Sequence, residues 1–148
     1  MNYALDPELA VVDAAEYGVL IPTWVYFDDM DPFGMLHNSR YSLLAERAWN
    51  TYWEGRVTAG DDFNVVKEAH ITYDTPINSS GPYAIHLWIE RLGRTSVTWG
   101  FRFCARNESI TYAHGARTNI CLNTETLRPA PWSDQARELA AKIMRPAH

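Results

Sequence analysis

The stretch DDMDPFGMLHNSRYSLLAERAWNTYWEG, residues 28–55, joins a loop to one long helix and decides the fold. Its first part, DDMDPFGMLHN, combines Asp, Pro and Gly and cannot continue a strand. The next part predicts a helix from about Ser39 to Glu54, because its apolar side chains recur on one helical face. These side chains are Tyr41, Leu44, Ala45, Ala48, Trp49 and Tyr52. Asn38 or Ser39 is expected to cap the helix and Gly55 to end it, and the aromatic stripe predicts burial against a sheet.

Strand-like alternation lies on both sides of this helix. A strand is predicted over 21–27, where β-branched and aromatic residues cluster. After the helix, apolar residues alternate from Phe63 to about Thr126 in four long strands. The turns between those strands are predicted at 76–82, 92–95 and 107–109. Gly115 is a candidate bulge in the last strand, and Pro129 ends that strand.

The order of these elements predicts one α+β domain over residues 1–148. Its core is expected at about 21–127, with a long central helix wrapped by a five-stranded antiparallel sheet. Ser133 is expected to cap a short terminal helix over about 133–144.

Composition excludes several classes of protein. The chain has 148 residues, 47% of them hydrophobic and 21% charged, which is typical of one globular domain. A formal charge of −5 disfavours binding to nucleic acid. No apolar run approaches the roughly 18 residues that a membrane span needs. Residues 1–20 lack a basic segment, so no signal peptide is predicted and a cytoplasmic location is expected.

Cysteine and histidine spacing predicts no metal site. Cys104 and Cys121 fit no zinc pattern and are expected to be buried free thiols. His70, His86 and His114 lie in strands without ligand spacing.

Residues 26–38 bring a carboxylate, a glycine turn and a helix N-terminus together. The first amides of a helix are unpaired and carry partial positive charge, so they can polarise a carbonyl. A nearby carboxylate, here Asp31, can attack that carbonyl or activate water beside it. Such a pair suits thioester hydrolysis without a metal or cofactor. The structural alternative is that Asp31, which precedes Pro32, only closes an Asx turn.

Three motifs together resemble the 4-hydroxybenzoyl-CoA thioesterase family of hotdog proteins. They are Asp31-Pro32-Phe33-Gly34, Asn38-Ser39-Arg40-Tyr41 and Glu46-Arg47-Ala48, and the strand order agrees from about Val25 to Leu127. The resemblance implies an acyl-CoA thioesterase in which Asp31 is the nucleophile or general base. It implies that Gly34 and backbone amides near Asn38 form the carbonyl site, with coenzyme A as part of the substrate and no separate cofactor.

The same resemblance implies assembly. Two such domains join edge to edge in a homodimer, or in a dimer of dimers, with each active site at the interface. The substrate would then contact Asp31 of one chain and the strand beginning at Phe63 of its neighbour.

Other residues are candidates for supporting roles. Many relatives have His directly after the glycine, where this chain has Met35. His37 is a candidate for assisting proton transfer, and Glu46 is a candidate because some hotdog thioesterases use an acid on the helix instead. The candidates for substrate contact are Phe33, Met35 and Tyr41 at the acyl group and Arg91, Arg94 and Ser96 at coenzyme A.

Two other functions stay open at this point. A hotdog dimer of this kind could bind an acyl thioester or a protein partner without catalysis. It could also be an enoyl-CoA hydratase or dehydratase, although the spacing of Asp31 and His37 does not match the D-x4-H arrangement of those relatives. The acyl group, and the choice between coenzyme A and an acyl carrier protein, are not determined by the sequence.

Overall fold

A computed structural model describes residues 10–147 as one antiparallel sheet with a long helix packed along it. The elements are β1 (Val12–Asp13), β2 (Val19–Val25), α1 (Asn38–Trp53), β3 (Asn64–Tyr73), β4 (Gly81–Leu92), β5 (Ser96–Cys104), β6 (Thr111–Cys121) and α2 (Asp134–Ala141). Across the sheet the strands lie in the order β1-β2-β4-β5-β6-β3. The predicted α+β class is confirmed, and β3 is an edge strand.

The predicted helical stripe is the centre of the core. All six of its side chains are buried, and Trp53 joins them. They pack against the inward residues of the two central strands, which are Ile85, Leu87, Ile89, Trp99, Phe101 and Phe103. The alternation in β4 and β5 therefore marks the face that covers α1.

Strand β2 ends two residues before the predicted boundary. The side chain of Asp29 accepts a hydrogen bond from the Tyr26 backbone N–H at 2.9 Å. This bond folds Phe27–Asp29 into a turn of 3-10 helix, so the chain leaves the sheet after Val25.

The two ends of the described chain also differ from the prediction. The sheet has six strands rather than five, because Val12 and Asp13 pair with β2. A two-residue strand is too short to produce a recognisable alternation. The terminal helix is shorter than 133–144, but Ser133 caps it as predicted, its hydroxyl accepting from the Ala136 N–H at 3.0 Å.

Gly115 does not form the predicted bulge. It lies in continuous register opposite Ile71 and Phe101, and a Cβ there would come 2.1 Å from the His70 carbonyl oxygen. Glycine is needed for this close approach of two strands. The irregularity in β3 falls at Lys67 instead, where the pairing with β6 shifts by one residue.

Three further predictions concern composition and location. Cys104 and Cys121 are both buried free thiols, as expected. Within residues 10–147, none of the helices has the length and apolar character needed to cross a membrane. The prediction that residues 1–20 contain no signal peptide includes residues 1–9, which lie outside the described part of the chain.

Candidate functional site

Asp31 lies in a tight loop that its own side chain organises. Its Oδ1 accepts hydrogen bonds from the N–H groups of Phe33 at 2.8 Å and Met35 at 3.1 Å. Gly34 has φ +78°, which glycine adopts without strain. The Asx turn considered from the sequence is therefore present. It occupies Oδ1 only, and among the described residues no hydrogen bond reaches Oδ2.

The start of α1 is capped by His37, not by Asn38 or Ser39 as predicted. The His37 Nδ1 accepts from the Ser39 N–H at 3.1 Å and lies 2.9 Å from the Ser39 hydroxyl. This side chain replaces the expected short polar cap because an imidazole nitrogen reaches the same amide. His37 thus has a structural role, and its contacts with Ser39 hold the ring in place.

One amide at this helix start remains open. The Arg40 N–H is bonded to the His37 carbonyl at 2.9 Å, and the His37 N–H to the Asp29 carbonyl at 3.0 Å. Within the described residues the backbone N–H of Asn38 makes no hydrogen bond. An unpaired amide at a helix N-terminus is a donor suited to a carbonyl oxygen or an oxyanion.

These groups line a single cleft of about 400 Å³. It contains six of the predicted site residues, namely Asp31, Phe33, Met35, His37, Asn38 and Tyr41. The end of β3 closes the other side through Tyr73 and Asp74. Tyr41 is buried against Tyr73, and burial raises the pKa of its phenol, although a hydrogen bond with the Ile77 backbone opposes the shift. Of the two carboxylates in this mainly apolar cleft, Asp74 is paired with the His114 ring at 2.7 Å. The Asp31 carboxylate and the unpaired Asn38 amide leave the cleft suited to an acyl group.

Four other predicted residues lie elsewhere in the chain. Glu46 is two turns further along α1 and lines a different cavity. Arg91, Arg94 and Ser96 surround the turn between β4 and β5, at the end of the sheet opposite the Asp31 cleft. The fold of the single chain therefore does not bring these four residues to Asp31.

A second cavity, of about 210 Å³, lies between α1 and the β3–β6 edge of the sheet. We call it the polar pocket, and its polar lining residues are Glu46, Asn50, Asp62, Asn64, Arg117 and Asn119. Sequence reasoning did not select Arg117 or Asn119. Both occupy inward positions of β6, in the parity of Ala113 and Cys121, where an apolar residue is the norm. That break in the alternation was the available signal.

Arg117 is deeply buried but poorly compensated. Its side chain is 9% exposed and lies over the Trp99 ring, 5.4 Å from the ring centroid. The one hydrogen bond that the described residues offer it runs from Nη2 to the Ser42 carbonyl at 3.2 Å. Its nearest carboxylate, on half-exposed Glu46, is 3.7 Å away, and its Nε is buried without a partner. Burial lowers the pKa of Arg117, and Glu46 opposes the shift.

Asp61, another residue that the sequence did not single out, is a buried carboxylate with a structural role. It accepts four short hydrogen bonds, from the N–H and hydroxyl of both Thr58 and Ser133. Burial would raise its pKa, but these donors outweigh burial and lower it. The carboxylate ties the exit of α1 to the start of α2.

The chain is similar in sequence and in fold to several known proteins. The sequence model of the thioesterase-like superfamily matches residues 25–140. The PA5185 protein of Pseudomonas aeruginosa is 20% identical with a TM-score of 0.81, covering 94% of this chain and 100% of its own. A thioesterase of Thermus thermophilus, solved with coenzyme A and Zn, is 26% identical with a TM-score of 0.74, covering 90% and 100%. DHNA-CoA thioesterase of Staphylococcus aureus is 16% identical with a TM-score of 0.72, covering 85% and 89%.

These likenesses confirm the predicted hotdog fold. None of the curated protein sequences compared with the chain matches it. In the described part of the chain, no group of three or more His, Cys, Asp or Glu side chains could hold a metal ion.

Proposed function

Because the chain belongs to the thioesterase-like superfamily, we propose that it hydrolyses acyl-CoA thioesters with Asp31 as its catalytic carboxylate. Family membership supports the general activity. The observation that supports Asp31 is that its carboxylate and the open Asn38 amide line the same apolar cleft. The coenzyme A held by the Thermus relative supports coenzyme A as the thiol half of the substrate.

The proposed chemistry needs one carboxylate oxygen and one oxyanion donor. As a general base, Asp31 takes a proton from water as the water oxygen bonds to the thioester carbonyl carbon. The carbonyl π electrons move to oxygen, and the Asn38 N–H stabilises that charge. Collapse of the tetrahedral intermediate breaks the C–S bond, and the departing thiolate takes the proton from Asp31.

The nucleophilic alternative uses the same atoms. Oδ2 of Asp31 bonds to the carbonyl carbon and the thiolate leaves, which gives a mixed anhydride that water then hydrolyses. Oδ1 holds the loop through Phe33 and Met35, so Oδ2 is the oxygen assigned to chemistry in both routes. If water attacks the Asp31 carbonyl carbon of the anhydride, single-turnover hydrolysis in ¹⁸O-water leaves the first ¹⁸O in Asp31, a label that the general-base route never produces.

The active unit is proposed to be a homodimer joined along β3. This strand pairs with β6 on one side, and its Val65, Val66 and Tyr73 side chains are 46%, 46% and 51% exposed. A long edge strand with exposed apolar side chains is a ready partner for another strand. Antiparallel pairing about a two-fold axis would place Tyr73 of one protomer near Asn64 of the other. Light scattering is expected to give the dimer mass or a multiple of it, and a monomer at assay concentration would contradict this arrangement.

In such a dimer the Asp31 cleft of one protomer meets the polar pocket of the other. The same pairing brings the turn that carries Arg94 and Ser96 toward the partner's cleft. This would explain why one protomer keeps these residues apart from Asp31.

The direct test is Asp31→Asn, assayed by thiol release from a panel of acyl-CoAs. The asparagine carbonyl can still accept from Phe33 and Met35, so the loop is preserved while the base is lost. We expect kcat to fall by about three orders of magnitude or more, roughly 4 kcal/mol of barrier, with little change in KM. Asp31→Ala is a poorer test, because it also removes both hydrogen bonds of the loop.

Asp28→Asn is the matched control, since Asp28 is an exposed acid of the same loop that does not line the cleft. Its activity should match that of the wild type. A loss below about tenfold in Asp31→Asn would remove Asp31 from the chemistry. If no acyl-CoA or acyl-carrier substrate releases thiol, a non-catalytic binding role replaces the hydrolase.

A further inference from the structure

We infer that the polar pocket around Arg117 recognises acyl groups that end in a carboxylate. The inference rests on the proposed function, because the pocket would receive the far end of an acyl chain whose thioester lies at an Asp31. It adds a substrate class to that function: thioesters of dicarboxylic acids.

The first argument is the unmet hydrogen-bonding capacity of a buried cation. A guanidinium has five N–H donors, and in the described chain the Arg117 side chain makes one hydrogen bond, to Ser42. Burying a charge without full compensation costs stability, and a ligand that supplies the missing acceptors would offset that cost. The planar guanidinium matches the two oxygens of a carboxylate, which makes that group the best-fitting ligand.

The second argument is that the lining offers further polar groups at the same place. The indole Nε1 of Trp53 is buried without a partner among the described residues. Asn119 is also buried, accepting from the Trp99 Nε1 at 3.0 Å and donating to the Asn64 side chain at 2.8 Å. These two bonds fix the amide beside Arg117. The pocket thus places a fixed amide beside a guanidinium that makes one hydrogen bond within the described chain.

The acidic residues at the pocket do not reverse its preference. Glu46 and Asp62 line it as well, but the Glu46 side chain is 53% exposed and Asp62 is also exposed. Their charges are screened by water, whereas the charge of Arg117 acts in a buried, low-dielectric environment. A ligand carboxylate can displace Glu46 from its long contact with Arg117. The acids also disfavour a phosphate, which carries more charge and would need more compensation.

The position of the pocket agrees with an acyl terminus. Glu46 is eight residues beyond Asn38 on α1, or about 12 Å along the helix axis at its usual rise. An acyl chain that runs along α1 from the Asn38 amide reaches the pocket of the same protomer. In the proposed dimer, the partner's cleft opens toward the pocket instead. The length of the acyl chain that reaches the pocket differs between these two paths, so the test must vary that length.

The kinetic test compares pairs of acyl-CoAs of equal length, with and without a terminal carboxylate, over chains of four to ten carbons. The wild type should prefer the carboxylated member of at least one pair. In Arg117→Met, kcat/KM for that substrate should fall about tenfold or more, the loss expected for a charge-assisted pair. Turnover of the uncharged member should stay the same or rise. Arg47→Met, which removes a charge from the exposed face of α1, should leave the preference unchanged.

A binding test works without turnover. Adipate should change the fluorescence of the tryptophans that line the pocket, Trp49, Trp53 and Trp99, while hexanamide, which has the same chain length and no carboxylate, should not. Arg117→Met should lose the adipate response. If uncharged acyl-CoAs are hydrolysed but neither a carboxylate preference nor an adipate response depends on Arg117, this inference is wrong and the proposed function stands. If adipate binds through Arg117 and no thioester is cleaved, the proposed function fails and the carboxylate site stands.

Discussion

Two arginines on neighbouring strands, Arg102 of β5 and Arg117 of β6, lie on opposite faces of the sheet and differ in how completely they are bonded. Arg102 donates through Nε to His86 at 2.8 Å, through Nη1 to Thr111 at 3.1 Å and through Nη2 to Glu108 at 2.6 Å. Arg117 makes one hydrogen bond and one long ion pair.

The clusters around Arg102 and Arg117 therefore have different roles. On the outer face, Glu108 also accepts from the Ala15 N–H at 2.9 Å, and His86 contacts the Tyr17 carbonyl at 2.7 Å. This network fastens the segment after β1 to the sheet, with each member satisfied by another. On the helix face, most N–H donors of Arg117 in the polar pocket have no hydrogen-bond acceptor among the described residues. The completed network needs no further partner, whereas the incomplete one leaves donors that a ligand can satisfy.

The largest expected effect separates the two arginines by stability. Arg102→Met should lower the free energy of unfolding by about 3 kcal/mol, because it strands a mostly buried Glu108 carboxylate. Arg117→Met should change it by less than about 1 kcal/mol, because an apolar side chain of similar length relieves a poorly compensated charge. Urea unfolding followed by tryptophan fluorescence measures both.

Equal losses in the two variants would break the comparison. Arg117 would then be a structural residue like Arg102, and the inferred carboxylate site would lose its main support. A stability gain in Arg117→Met, together with loss of the adipate response, would sharpen the comparison.

Much of this architecture is visible in the sequence because it depends on local periodicity. The stripe from Tyr41 to Tyr52 predicted the position of α1 to within one residue, and the parity of β4 and β5 predicted their buried face. The prediction was wrong where a side chain overrode propensity, as at Tyr26, where the Asp29 carboxylate folds a turn. It was also wrong at Gly115, because a glycine in a strand signals either a bulge or a close approach, and only the neighbours decide.

The candidate site also has one part that the sequence predicts and one part that it does not. Asp31 and Asn38 are close in sequence, so a loop followed by a helix was enough to predict one cleft. The polar pocket joins α1 to β3 and β6, and its residues are brought together only by the fold. Arg117 and Asn119 broke the inward parity of β6, but parity alone does not tell a structural polar residue from a binding one. Their hydrogen bonds, which only the fold reveals, show that Asn119 is paired on both sides of its amide and that Arg117 makes one bond within the described residues.

The smallest expected effect concerns the protonation of His86 within the completed network. The Arg102 Nε–H donates to Nδ1, so the neutral imidazole carries its proton on Nε2 and donates to the Tyr17 carbonyl. Burial lowers the pKa of His86. The Tyr17 contact opposes this shift, the charge of Arg102 adds to it, and Glu108 and Glu16 oppose it. The folded protein therefore favours neutral His86.

This preference has a defined sign in pH. The unfolded chain takes up a proton near pH 6.5, the ordinary pKa of histidine, whereas the folded chain does so only at lower pH. The contribution is complete above about pH 6.5 and declines as the pH falls from there toward the folded pKa. We expect the free energy of unfolding of the wild type to decrease between pH 7.5 and pH 5. His86→Gln, whose amide can both accept and donate without titrating, should show a flatter curve. Parallel curves would mean that protonation of His86 does not affect the free energy of unfolding. The outer cluster would then stabilise the fold through Arg102 and Glu108 alone.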